Sequence, residues 1–124
     1  MKENVVQVKS YAFALRMMKL YRWLCEKEKA FALATQVLQS GTSIGANVEE
    51  AIGGQSEKDF NSKMNIAYKE ARETHYWLRL LRDSGMMDEK AFGSIIADCE
   101  ELMKIIGSIN KTMKSKIKTQ IHNS

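Results

Sequence analysis

The chain has 124 residues, no proline, seven glycines, two cysteines and a formal net charge of +4. This length suits one domain with a single hydrophobic core. Charged residues make up 27% of the chain and apolar residues 44%, which excludes an intrinsically disordered protein. Because proline is the commonest helix breaker, its absence predicts a chain that is mostly helix.

The cysteines and the N-terminal residues indicate a reduced, cytoplasmic protein with no membrane contact. Cys25 and Cys99 are too few for a disulfide framework, and helical counting places them about 16 Å apart, so we expect two free thiols. Lys9 and Arg16 interrupt the early apolar runs before these reach the length of a signal peptide. Residues 30–48 carry no charge, but their many polar side chains favour a helix buried by protein over a membrane span.

Apolar residues recur at helical spacing in four segments, and this periodicity sets the expected fold. The predicted helices cover about residues 4–26, 29–52, 56–85 and 88–113. Because short turns join them, the predicted fold class is all-α, an antiparallel up-down-up-down four-helix bundle. Residues 1–113 form the bundle in this interpretation, and residues 114–124 form a basic, frayed C-terminal tail.

Capping residues mark the expected helix ends. Ser56 and Asp59 resemble a capping box at the start of the third helix, and Asp88 is the expected N-cap of the fourth. Glycine adopts the left-handed conformation readily, so we expect the segment 53–54 to end the second helix and Gly85 to end the third.

The net charge is unevenly distributed. Residues 1–110 contain equal numbers of acidic and basic side chains, so the excess of +4 belongs to the lysines of the segment 111–118. Within the neutral part, the first helix is basic and the fourth is acidic. These two helices are expected neighbours in the bundle, and their opposite charges would attract.

Basic residues form stripes on the first and third helices. One interpretation is a phosphate-binding surface for nucleic acid or a partner. The other is that these are solvated faces of amphipathic helices, partly neutralised by the interleaved acids Glu70, Glu73 and Asp83. The candidate surface residues are Lys9, Arg16, Lys19 and Arg22 on the first helix, and Lys69, Arg72, Arg79 and Arg82 on the third. Lys2 continues the first stripe.

Small residues fill the middle of the second helix. Gly41 and Gly45 lie four apart on one face, with Ser43 between them. Each interior glycine costs about 1 kcal/mol relative to alanine. Close approach of another backbone would compensate for this cost, and a local bend is the alternative. Glu49 and Glu50 follow, and one of them is expected to pair with a base of the third helix such as Lys63, or across a subunit interface.

The sequence lacks the patterns of an enzyme or a metalloprotein. A di-metal bundle site needs a Glu-x-x-His pair on each of two helices, and the chain has only two histidines. His75 and Cys99 are expected at about the same height on helices 3 and 4. A packed thiol beside a hydrogen-bonded histidine is favoured over a nucleophile–base pair. We expect no catalytic residues, cofactor or metal.

The segment 43–51 and the pattern that follows it resemble a known family. The matching residues are Ser56, Asp59, Phe60, Lys63, Ile66 and Ala67, the segments 69–74 and 76–78, and residues 14–16 and 19–21 of the first helix. This pattern is similar to the four-helix-bundle proteins encoded in intervening sequences of bacterial 23S ribosomal RNA genes. The accessory variability determinant of diversity-generating retroelements is a more distant relative.

The resemblance implies a homopentameric ring without enzyme activity, associated with structured RNA, a ribonucleoprotein or a nucleic-acid enzyme. In such a ring Glu49, Glu70 and Trp77 would act with Gly41, Ser43 and Gly45 as bundle or interface determinants. The expected function is therefore a homo-oligomeric interaction module. The alternative is a scaffold or adaptor that binds protein alone.

Overall fold

The computed structural model describes residues 4–123, and these residues form four long α-helices. The helices are α1 (Val5–Trp23), α2 (Phe31–Ile52), α3 (Glu57–Asp83) and α4 (Glu89–Asn123). The part of the chain that the structure describes contains no β-strand. The all-α prediction is therefore confirmed. Lys2, which continued the predicted basic stripe, lies outside the described residues.

The helices pack in the ring order α1–α2–α3–α4, and each contacts its two neighbours in that ring. Consecutive helices run antiparallel, as expected for an up-down-up-down bundle. The interface between α1 and α4 is the least extensive of the four. Fully buried side chains from all four helices form one core, including Met17, Ile44, Leu78 and Leu102.

The capping predictions at three helix ends are confirmed. The Ser56 side chain accepts a hydrogen bond from the Asp59 amide at 3.0 Å, and the Asp88 carboxylate accepts one from the Ala91 amide at 2.7 Å. Gly85 follows α3 with a φ of +81°, in the left-handed region. Each cap satisfies or redirects backbone groups that a helix end leaves unpaired.

The end of α2 differs from the prediction in its mechanism. Gly53 follows the last helical residue, as expected, but its φ of −81° is right-handed. Its amide donates to the Glu49 carbonyl at 3.0 Å and so continues the helical pattern for one more residue. The advantage of glycine appears at Gly54, where a Cβ would lie 3.1 Å from the Ala51 carbonyl oxygen.

The C-terminal ends of the predicted first and fourth helices need correction. The α-helical part of α1 ends at Trp23, and the chain continues as a π-helical segment over Leu24–Glu28. Lys29, with a φ of +54°, then turns the chain toward α2. The fourth helix extends to Asn123, ten residues beyond the predicted end at 113. Its last turns lie along the start of α3, where Lys116 forms an ion pair with Glu57. Fraying of this segment stays a prediction.

Helices α1 and α2 approach closely at the two glycines of α2, as the small-residue pattern predicted. A Cβ on Gly41 would lie 2.3 Å from Cγ of the buried Met17. A Cβ on Gly45 would lie 3.2 Å from the backbone oxygen of Ser10. Alanine at position 41 would therefore collide with Met17 of α1, and alanine at position 45 would make a tight contact with the α1 backbone. This close approach favours packing over a local bend as the reason for the glycines.

Candidate interaction surfaces

The predicted attraction between α1 and α4 is present as two ion pairs. Lys9 contacts Glu101 at 3.0 Å, and Arg16 contacts Asp98. Arg16 also donates to the Ser94 side chain at 3.1 Å. These contacts place two of the predicted phosphate-binding residues in a seam within one chain. Their charges are partly neutralised before any ligand arrives.

The other basic residues of α1 are free to bind a ligand. Lys19 and Arg22 are exposed, and neither forms an ion pair with any residue in the range 4–123. Lys19 lines a cleft between α1 and α4 with Trp23, Met87 and Ile95. The first predicted stripe is therefore divided into a paired part and an unpaired part.

The basic stripe of α3 is divided in the same way. Arg82 donates to Asp83 at 2.8 Å and lies 4.3 Å from the centroid of the Phe92 ring. Arg79 lies 5.9 Å from the centroid of the Tyr76 ring. By contrast, Lys69 and Arg72 are exposed and make no ion pair with the described residues. These last two charges are the part of the stripe best placed for a ligand.

The predicted bundle determinants lie at helix–helix contacts or beside them. Glu49 accepts two hydrogen bonds of 3.0 Å from the Gln7 side chain, which joins α2 to α1. The half-buried Ser43 accepts a 2.8 Å hydrogen bond at its carbonyl from Asn47. Glu50 contacts Lys63 of α3 at 3.7 Å, which confirms the intramolecular alternative for that pair.

Glu70 and Trp77 are half-buried residues of α3 whose polar groups lie away from solvent. Burial raises the pKa of Glu70, and the neighbouring Glu73 charge raises that pKa further. The indole Nε1 of Trp77 is buried and has no hydrogen-bond partner among the described residues. A buried donor without a partner costs free energy. The Trp77 indole is therefore a polar group that an additional partner would satisfy.

His75 and Cys99 do not form a nucleophile–base pair. His75 Nε2 contacts Glu100 Oε2 at 3.0 Å, whereas the Cys99 thiol donates to the Ala71 carbonyl at 3.4 Å. Burial raises the pKa of Cys99 to about 12, with a smaller contribution from Glu100. The thiol therefore stays protonated near neutral pH and is a weak nucleophile. No cluster of three metal-ligating side chains occurs within residues 4–123.

An exposed apolar row on α1 was missed in the sequence interpretation. Val8, Tyr11, Leu15 and Met18 are 49%, 63%, 48% and 52% exposed. They follow one another at steps of three, four and three residues, which places them on one face. This heptad spacing was the available signal, but periodicity alone cannot tell which apolar face of a helix meets the core.

A cleft between α3 and the C-terminal half of α4 was also missed. Its volume is about 720 Å³. The lining residues are Asn61, Asn65, Tyr68, Gly107, Asn110, Lys111, Lys114 and Ile117. The sequence interpretation assigned the two lysines to the tail or its border, and so it separated them from the asparagines of α3.

These features define an all-helical bundle with exposed apolar and basic surfaces. Within the described range of 4–123, no helix combines the length and hydropathy required to cross a bilayer. A family model described as 23S rRNA-intervening sequence protein matches residues 2–108. The chain belongs to this family, and the resemblance predicted from its motifs is confirmed.

A solved structure from Bacteroides thetaiotaomicron VPI-5482 supports the same assignment. It is a crystal structure, at 1.70 Å resolution, of a protein of unknown function from the S23 ribosomal protein family. The two chains are 48% identical and superpose with a TM-score of 0.86 over 90% of this chain and 99% of that one. Among curated proteins, none matches this chain.

Proposed function

We propose that this protein is a non-enzymatic module that assembles into a ring of identical chains, five in number, and binds RNA or a ribonucleoprotein. The observation that carries the assembly is the apolar row of Val8, Tyr11, Leu15 and Met18 on α1. A contiguous exposed apolar row is typical of a surface that another protein covers. Neither the assembly nor its RNA ligand follows from the fold alone.

A second exposed patch on α3 suits the other side of such an interface. Ile66 and Leu80 are 38% and 36% exposed, and both lie on one face of α3 with the exposed Glu73 midway between them. Helices α1 and α3 are diagonal in the bundle and do not contact each other. Their outer faces are therefore two different surfaces of the bundle, and head-to-tail contacts in a ring join two different surfaces.

Charge also favours contact between these two faces. Arg22 lies seven residues after Leu15 and extends the α1 row with a positive charge. Glu73 gives the α3 patch a negative charge at its centre. Opposite charges beside matching apolar surfaces fix the register of an interface and disfavour contact between two identical faces.

Light scattering on purified protein tests the assembly. We expect a mass of five chains of 14.1 kDa each. Leu15→Glu places a charge in the α1 row and should reduce the mass to that of one chain. Phe31→Glu is the matched control, because Phe31 is 58% exposed on α2 and lies outside both faces. A wild-type mass near that of one chain would contradict the ring.

Salt-dependent RNA titration tests the ligand. The double variant Lys69→Gln/Arg72→Gln removes two unpaired charges and should flatten the plot of log affinity against log salt by about 1.4 for single-stranded RNA. Lys9→Gln/Arg16→Gln removes the same charge from the contact between α1 and α4. It should change this slope less, because Glu101 and Asp98 already neutralise these two residues. Absence of RNA binding by the wild type at about 50 mM salt would refute the RNA part.

A protein-only scaffold is the second candidate, and one observation favours it. Lys9 and Arg16 are already engaged by Glu101 and Asp98, which reduces the positive field that RNA would meet on α1. On this alternative the ring still forms, but RNA retention is absent in both wild type and variants. Charge reversal at Arg72 and Arg79 would then remove a protein partner without changing RNA retention.

A further inference from the structure

The cleft between α3 and α4 differs from its neighbours in charge. Among its lining residues are Lys111 and Lys114, and the lining contains no carboxylate. The adjacent cleft, of similar volume, is lined by Glu100 and Glu101 together with Lys104. Anionic ligands are therefore attracted to the first cleft and meet two negative charges in the second.

Tyr68 forms the wall between these two clefts because α4 has a glycine opposite it. A Cβ on Gly107 would lie 3.2 Å from Tyr68 Cε1. Glycine therefore lets the tyrosine ring lie against α4 while part of the ring still faces the cleft. A half-exposed aromatic ring beside lysines is a common element of nucleotide recognition, since every base has a flat face that stacks on it.

Amide side chains provide polar groups on both helices. Asn65 uses its amide nitrogen to donate to the Asn61 carbonyl at 2.9 Å, which leaves its side-chain oxygen as an acceptor. Asn110 donates to the Met64 carbonyl at 3.2 Å, and its Oδ1 is buried without a partner among the described residues. Because the Asn110 oxygen is buried, a ligand in the cleft meets the exposed Asn65 side chain instead.

We propose that this cleft binds one nucleotide of a single-stranded RNA. The phosphate contacts Lys111 and Lys114, the base lies against Tyr68, and the Asn65 side-chain oxygen accepts a hydrogen bond from the base edge. The volume of about 720 Å³ is within the range of small-molecule sites. This inference rests on the proposed RNA function and locates a contact outside the predicted basic stripes.

Fluorescence anisotropy with a labelled single-stranded RNA of twelve nucleotides tests the contact. Lys111→Gln/Lys114→Gln should flatten the plot of log affinity against log salt by about 0.7, which corresponds to one lost phosphate contact in single-stranded RNA. Lys27→Gln/Lys90→Gln is the matched control. It removes the same charge from exposed lysines at the other end of the bundle and should leave the slope nearly unchanged.

The outcomes separate this inference from the proposed function. If wild-type protein binds RNA and both double variants bind it with the same slope as wild type, the cleft proposal is wrong and RNA binding elsewhere stands. If wild-type protein binds no RNA at about 50 mM salt, the RNA function fails and the cleft contact fails with it. Circular dichroism should show unchanged helix content in both variants, since all four lysines are exposed.

Thermal unfolding with adenosine monophosphate or inorganic phosphate tests the role of the base. A ligand that binds only the folded state raises the melting temperature. We expect adenosine monophosphate at millimolar concentration to raise it in wild type more than in Lys111→Gln/Lys114→Gln. Inorganic phosphate should have the smaller effect. An equal response to both compounds would overturn nucleotide recognition and leave only a simple anion site.

Discussion

The hydroxyl oxygens of Ser40 on α2 and Thr74 on α3 lie 3.0 Å apart, and both residues are almost completely buried. The Ser40 hydroxyl also donates to the Gln36 carbonyl at 3.1 Å. The Thr74 hydroxyl lies 2.7 Å from the Glu70 carbonyl. The pair therefore joins two helices without leaving either hydroxyl unsatisfied, as buried polar groups require.

A double-mutant cycle on this pair should show coupling. Ser40→Ala and Thr74→Val should each lower the free energy of unfolding by about 1 kcal/mol, since each removes one partner of a buried hydrogen bond. The double variant should lose less free energy of unfolding than the two single variants lose together. Removing both partners leaves no unpaired group between the helices. Urea denaturation of the four proteins measures this, and strict additivity would show that the contact contributes nothing of its own.

Two glycine-to-alanine substitutions should change stability in opposite directions. Gly41→Ala forces its Cβ against buried Met17 and should destabilise the protein by about 1–3 kcal/mol through overpacking. Gly93→Ala is the matched control in α4, because no atom lies within 4 Å of the added Cβ. There the helix preference of alanine should stabilise the protein by about 1 kcal/mol. Thermal denaturation measures both changes, and stabilisation by Gly41→Ala would contradict the close approach of α1.

The two thiols should react at very different rates. Cys99 is fully buried and its pKa is raised to about 12, so a disulfide reagent at pH 8 should not modify it in the folded protein. Cys25 is half-buried and should react first. Titration of free thiols should therefore detect one reactive thiol in the folded protein. After unfolding in urea it should detect both. The Cys25→Ser variant keeps Cys99 as its one thiol. Rapid modification of this variant in its folded state would show that Cys99 is accessible and would contradict the prediction.

The C-terminal turns of α4 should loosen at acidic pH. Hydrogen bonds from Lys116 and Gln120 lower the pKa of Glu57 below its ordinary value of 4.5. A lowered folded-state pKa means that this contact stabilises the fold above the unfolded-state pKa and is lost as pH falls through the folded-state value. Hydrogen exchange in residues 114–122 should therefore accelerate below about pH 4, relative to the core of α4.

Glu57→Gln supplies the control for this pH dependence. In this variant, hydrogen exchange in residues 114–122 should already be faster than in wild type at neutral pH. Acidification should then accelerate it little further relative to the core of α4. Because the pair is exposed and screened by solvent, the global free energy of unfolding should hardly change. Equal exchange in wild type and variant across the whole pH range would show that Glu57 does not hold the segment.

Much of the architecture followed from local sequence signals. The caps at Ser56, Gly85 and Asp88 depend on single residues and their near neighbours, and all three are confirmed. The contact at Gly41 and Gly45 was predictable for a related reason, since small residues four apart mark one face of a helix. The charge asymmetry of α1 and α4 predicted their pairing because short turns restrict the order of four helices.

Other features depended on tertiary contacts that no local pattern specifies. The end of α4 was placed ten residues too early because the lysine-rich segment has no cap, whereas its helical turns are held by Glu57 of another helix. The exposed row of Val8 and Leu15 has the same spacing as a core stripe. Which stripe is buried depends on where the neighbouring helices lie.

The sequence by itself determined four helices, their limits at the capped ends, their antiparallel order and the family to which the chain belongs. These are consequences of periodicity, capping and short connections, which act over a few residues. Only the tertiary structure decided that Lys9 and Arg16 are paired while Lys69 and Arg72 are not. It also decided that Lys111 shares a cleft with Tyr68. Such relationships join residues that are distant in the chain, and only packing brings them together.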